Sequence, residues 1–377
     1  VKNKPETLAR DIAQMTSSNL IVNTERPFEG SRDMLVAQEP KLLAGASSDQ
    51  WAVLGGTRFL LAMIVVITHC HDFLPPPATG WTNIGPLFNA QAAVYGFLFI
   101  SGYSIAHSLR NPKGFYLRRA RRILPIYLAA LFLGLGVTKA AGGTVIMPTG
   151  DVIAAPTFWQ FVGNALLLQG WICLPIHCDG PVWTLSAEVF YYVVAPLLRL
   201  ARPWMLCLLL WMSMIGAYHC RGTLYLMSGY PMLALAWAWL CGFYWYGHRR
   251  GTTMILFLAV CAFFGRSPNS LAAVTIALAA SVLIAAPSIP VPRVLRAPLL
   301  YLGELSYPLY LFHWPTLVGL FALRMVLDPI AWVIGSIGMS MIGYHLIDKL
   351  FRTSPLARAA HLSARTLDVR MAAPVQP

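Results

Sequence analysis

Charged side chains are scarce in this chain. They make up 11% of its 377 residues, where a soluble domain carries about a quarter. Acidic residues are scarcer still: 15 Asp and Glu stand against 28 Lys and Arg, a formal net charge of +13. Without carboxylate clusters, a lipid-linked sugar transferase that binds pyrophosphate through a metal is disfavoured. The seven cysteines follow no metal-site spacing. A repeated half of the kind many secondary transporters carry is not visible, and the first 50 residues contain no signal-peptide core. Nor is there the strand alternation of an outer-membrane barrel, so helices must satisfy the backbone inside lipid.

What the chain has is apolar sequence. Hydrophobic residues reach 57%, twelve of them Trp, and the mean hydropathy is +0.60. Runs of near-spanning length, about 20 residues each, recur between residues 52 and 351. The fold class expected is an all-α polytopic membrane protein. Its ten spans are placed near 52–71, 88–107, 122–139, 183–200, 203–219, 229–247, 253–265, 270–286, 299–323 and 330–351. The domain order is a polar N-terminal tail over 1–50, a transmembrane domain over 51–351 and a basic C-terminal tail over 352–377.

The positive charge is distributed as membrane topology rather than as a nucleic-acid surface. With a cytoplasmic N-terminus, the inner loops carry Arg110, Lys113, Arg118, Arg119, Arg121, Arg122, Arg199, Arg202, Arg249, Arg250, Arg293 and Arg296. The outer connections carry Lys139, Arg221, Arg266 and Arg324. Twelve against four places both tails in the cytoplasm. The longest connection, 140–182, is then outside. Its apolar middle, 157–171, is too short to span and reads as a re-entrant or interfacial helix. Cys173 and Cys178 lie in this loop and could pair in an oxidising compartment.

Against this background a few polar residues stand out. "TRFLLAMIVVITHCH" puts Arg58 and His69 on one helix face, about 16 Å apart along the axis. His71 and Asp72 beyond them read as solvated headgroup residues. Glu188 lies six residues into a span that starts outside, His313 midway or further along an outward span, and Glu304 nearer its inner end. Ser101 and Tyr103 flank a glycine in the second span. Ionisable groups at such depth face cavities and one another, and two histidines with a glutamate suit proton transfer at a hydroxyl. Interhelical polar clamps are the bland alternative. At the inner side, Arg118, Arg119, Arg121 and Arg122 stack where the third span begins. Arginine forks match phosphate oxygens, although an anionic lipid headgroup would meet them equally.

Taken together, these blocks resemble membrane acyltransferase family three, the bacterial O-acyltransferases that decorate surface polysaccharides, Nod factors and some antibiotics. The resemblance covers about residues 50–350. It rests on Arg58 and His69 with ten residues between, Ser-Gly-Tyr at 101–103 and Arg-Arg-x-x-Arg-Ile-x-Pro at 118–125. It rests also on Trp183-Thr-Leu-x-x-Glu188 followed by Phe-Tyr, and on "SYPLYLFHWP" at 306–315. Ala93 replaces a usual glycine, and Leu98-Phe99 a usual Phe-Phe, both at packing positions.

The resemblance implies acyl transfer, usually acetyl, from cytosolic acyl-CoA to a hydroxyl of a glycan, glycolipid or small acceptor, in the bacterial inner membrane. No metal and no nucleic acid are expected. The residues then supply a geometry, with His69, Glu188 and His313 expected as catalytic residues. Arg58, Arg118, Arg119 and Arg122 would receive the donor; Ser101, Tyr103, Trp183, Ser306 and Tyr310 would contact substrate. Trp159, Trp171 and Trp183 could stack on sugar rings or belong to the interfacial belt. The main alternative is a secondary transporter that uses the buried His and Glu residues for proton coupling. A weaker one is a metal site combining His69, Cys70 and His71 with His177, Cys178 and Asp179.

Overall fold

The computed structural model describes residues 47–74, 87–219, 229–247, 270–324 and 329–353. Most of both expected tails, the short span at 253–265, and Arg221, Arg249, Arg250 and Arg266 lie outside the described residues. In chain order the elements are α1 (Ser48–Asp72), α2 (Ala90–Ser108), α3 (Phe115–Ala140), β1 (Thr144–Ile146), β2 (Val152–Ala154) and α4 (Phe158–Ala165). There follow α5 (Trp183–Leu198), α6 (Pro203–His219), α7 (Tyr230–Gly247), α8 (Ser270–Ala285), α9 (Arg293–Ala322), α10 (Pro329–Gly343) and α11 (Lys349–Thr353). A 3-10 segment, His177–Val182, leads into α5, and a π-helical turn, Tyr344–Asp348, joins α10 to α11.

The protein is mostly helical, and the helices coincide with nine of the ten expected spans. Among the described residues, five helical stretches are long and apolar enough to cross a membrane: Ser48–Asp72, Phe115–Ala140, His177–Leu198, Leu271–Ser288 and Pro329–Phe351. The third helix starts seven residues earlier than expected, at Phe115. Gly114, at φ +64°, supplies the left-handed residue that turns the chain into it. The arginine block is therefore helical, which decides where each arginine points.

Close approach of backbones holds the centre. Gly55 on α1 meets Leu299 and Gly303 on α9, and a Cβ at Gly303 would lie 2.5 Å from the Gly55 Cα. Further along the same pair, His69 stacks on His313, so α1 and α9 run side by side in the same direction. A second pair is closer still. A Cβ on Gly102 of α2 would fall 2.0 Å from the Trp239 carbonyl oxygen of α7, and one on Gly242 would fall 1.9 Å from that of Phe99. In lipid, where burying apolar area does not itself drive helices together, small residues at the contact give the van der Waals gain. Trp237 and Trp239 are fully buried around that contact.

The 140–182 connection departs from expectation in three respects. It opens with an antiparallel hairpin, Thr144 opposite Ala154 and Ile146 opposite Val152; strands this short leave no readable alternation. The helix expected within 157–171 covers only Phe158–Ala165. It is capped by the Thr157 hydroxyl, which accepts from Gln160 N, and it is followed by Leu167 at φ +60°. Cys173 and Cys178 are both free thiols. The loop is pinned instead by Asn164, whose amide donates to the carbonyls of Gln160 and Leu174 at 2.9 Å and accepts from Ile176 N at 3.2 Å. The Cys173 thiol lies against Gly163, and the Cys178 backbone carbonyl lies against Gly134 of α3.

Candidate active site

A cavity lies among α1, α2, α3, α5 and α9, about 860 Å³ with its open mouth included. Arg58, Arg119 and Arg122 line it together with Ser101, Ser104, Thr184, Glu188, Tyr192, Ser306, Tyr307 and Tyr310. Helical spacing explains the arginines: Arg119 and Arg122, three apart on α3, share a face, and Arg58 of α1 joins them. Arg118, one position round the helix, does not line the cavity. Its guanidinium donates to the Lys113 carbonyl and, at 2.7 Å, to that of Asn111, clasping the turn before α3. The expected four-arginine stack is thus divided by the helix.

Within the cavity the cations meet one carboxylate system. Ser101 Oγ donates to Glu188 Oε1 at 2.6 Å, and the Tyr192 hydroxyl donates to the same oxygen. Arg119 also sits over the Tyr192 ring, 5.7 Å from its centroid. Arg58 is close enough to Glu188 and Glu304 for both to act on its charge. The Nε atoms of Arg58 and Arg119 are buried without a hydrogen-bond partner. A cluster of cations with unspent donors suits an anion bearing several oxygens.

Past Tyr310 lies the second half of the site. The Tyr310 hydroxyl donates to the Pro181 carbonyl at 2.9 Å and lies 2.8 Å from the Thr184 hydroxyl. Its ring centroid is 6.1 Å from that of His313. His313 is fully buried and stacks on His69 at 5.4 Å with the planes 24° apart. Trp314 abuts the His69 ring edge-on at 5.0 Å, and its indole donates to the His177 carbonyl at 3.0 Å. His69 Nδ1 lies 3.0 Å from Asp72 Oδ2. Asp72, its side chain 37% exposed as its position implied, is thus also a partner of His69.

The expected site residues divide accordingly. His69 and His313 are brought together; Glu188 belongs to the cavity with Ser101, Ser306, Tyr310 and three of the four arginines. Tyr103 is buried on another side of α2, taking a hydrogen bond from Gln50 at 2.7 Å and packing on Trp51 and Tyr246. Trp183 opens α5, and its carbonyl accepts from Ser186 at 3.2 Å; it does not line the cavity. Trp159 is 78% exposed, whereas Trp171 packs on Phe190. Tyr192, Thr184, Tyr307 and Asp72 were not anticipated. Tyr192 was legible in principle, since it follows Glu188 by one helical turn. Among the described residues no three His, Cys, Asp or Glu side chains form a metal-binding group.

Fold and site together define a helical, multi-pass membrane protein in which a buried basic cavity adjoins a stacked histidine pair. The chain belongs to the acyltransferase family whose model, described as an acyltransferase domain, matches residues 51–347. It is 25% identical over 353 residues to nodulation protein 10 of Rhizobium leguminosarum bv. viciae, a match covering 80% of this chain and 94% of that protein. No solved structure matches. Membership makes the protein a membrane acyltransferase, with an acyl donor and a hydroxyl acceptor.

Proposed function

We propose that the protein is an O-acyltransferase of the bacterial inner membrane that takes an acyl group, acetyl in the simplest case, from cytosolic acyl-CoA. It delivers the group to a hydroxyl of a glycan or glycolipid on the opposite side. In this reading ten spans cross the membrane and both termini are cytoplasmic, as the basic-residue asymmetry argues. The observation that carries the proposal is a basic cavity one wall residue away from the histidine pair. Three arginines line it, two of them, Arg58 and Arg119, with unspent donors, and one of its wall residues, Tyr310, neighbours the histidine pair.

In this mechanism Arg58, Arg119 and Arg122 receive the phosphate oxygens of the donor, and Glu188 balances their charge when no donor is bound. Ser101, Tyr192 and Thr184 line the way for the thioester arm. His69 acts on the acceptor. As the acceptor oxygen bonds to the acyl carbon, its proton passes to His69 and the carbon–sulfur bond breaks; the departing thiolate then takes that proton. Ester and thiol are the products, and His69 returns to its starting state. The exposed aromatic residues of 158–172 provide a surface for the acceptor at the outer side.

The test is incubation of the purified full-length protein in liposomes with radiolabelled acetyl-CoA and glycans extracted from a source strain lacking the gene. An alkali-labile acetyl ester on the glycan is expected, and His69→Ala lowers its rate at least about 100-fold, as for loss of a general base. Absence of both CoA binding and ester would overturn the proposal and leave proton-coupled transport as the reading of the buried His and Glu residues.

A further inference from the structure

The two stacked histidines differ in what stands behind them. Asp72 Oδ2 is 3.0 Å from His69 Nδ1. An ionised carboxylate only accepts, so Nδ1 carries the proton and, in the neutral ring, Nε2 presents a lone pair. The Leu309 carbonyl is 3.1 Å from His313 Nδ1 and also only accepts, so His313 has the same tautomer. Its Nε2 is buried without a partner. Behind His69 stands a carboxylate; behind His313 stands only backbone, at Leu309 and Tyr310. The side chains of His69 and Asp72 keep 23% and 37% exposure, whereas His313 is sealed. Among the described residues, the titratable side chains in contact with His69 are Asp72 from α1 and His313 from α9, with Trp314 closing the ring edge.

We infer that Asp72 is a positioning residue for transfer: it holds His69 in the Nδ1–H tautomer and makes His69, not His313, the histidine that takes the acceptor proton. The inference rests on the acyltransfer reading above. A carboxylate on Nδ1 fixes the ring and stabilises the imidazolium formed when Nε2 is protonated, the division of labour known from the Ser-His-Asp triad. Positive charge is far less favourable on His313, which lacks a counter-charge and is shut away from water. His313 therefore remains neutral, and its Nε2 serves as a hydrogen-bond acceptor beside the reacting group. The helical i, i+3 spacing sets the Asp72 carboxylate beside the His69 ring.

Two readouts separate this inference from the reading beneath it. In full-length protein labelled with [15N]histidine and held in nanodiscs, the His69 signal is identified as the one lost in His69→Ala. It is expected as the Nδ1–H tautomer, changing to Nε2–H or a mixture in Asp72→Ala. An unchanged tautomer would overturn the role of Asp72 and leave the acyltransferase reading intact. In the acetyl-transfer assay with extracted glycans, Asp72→Ala is expected to lower kcat at least tenfold while KM for acetyl-CoA stays within twofold. Asp72→Glu regains most of the loss. A wild-type kcat in Asp72→Ala would likewise contradict the inference. Wild-type turnover in His69→Ala would instead remove His69 as base, and the role of Asp72 with it.

Discussion

Arg58, Arg119 and Arg122 come from two helices and converge on one cavity, while Arg118 turns back onto the carbonyls of its own loop. That division yields a paired prediction. A hydrogen bond to a charged group contributes about 1.5–3 kcal/mol, so Arg122→Ala is expected to weaken acetyl-CoA binding by roughly 10- to 100-fold in calorimetric titration. Arg118→Ala is expected to leave it within twofold. Equal losses in both would point to general attraction by the basic end of α3. Glu188 yields another. Glu188→Gln keeps a carbonyl oxygen to accept from Ser101 but removes the charge that balances the arginines, so donor affinity should hold or rise; a tenfold fall would mean that Glu188 itself holds the donor. The identities of these groups were readable from residue type and depth. Their partners were not, because pairing across helices depends on rotation about each axis. Only Tyr192, a turn after Glu188, and Asp72, three residues after His69, carried a local signal.

Among the elements, the contact between α2 and α7 is the least tolerant. Backbone stands where a Cβ would go at both Gly102 and Gly242, so even Gly242→Ala must push the helices apart. Overpacking of this kind costs about 1–3 kcal/mol, and thermal unfolding in detergent is expected several degrees lower. Gly136→Ala on α3, with nothing within 4 Å of the added carbon, should be neutral or slightly stabilising, since Ala is the better helix former. A glycine beside Ser101 was visible in the sequence as a packing point, and its partner helix was not. The α3 start was misplaced because Phe115 to Arg121 looks like a loop when charge is counted and like a helix when periodicity is. The β1–β2 hairpin rests on three-residue strands, below the length at which alternation can be told from chance.

For the whole molecule, the basic-residue asymmetry argues which way the bundle lies and therefore which end of the cavity meets the donor. In spheroplasts, a cysteine placed at Asp151, in the turn of the hairpin, is expected to react with a membrane-impermeant maleimide from outside. One placed at Lys113 should react only after the membrane is opened. The reverse pattern would invert the bundle and put the arginines on the outer side. The measurement that bears most directly on the central claim, transfer through the bilayer from the basic cavity to the histidine pair, is sided. Full-length protein is reconstituted in sealed liposomes with extracted glycan trapped inside and labelled acetyl-CoA added only outside. The account predicts acetyl ester on the trapped glycan, lost in His69→Ala. Product formed only when donor and glycan share one compartment would contradict it.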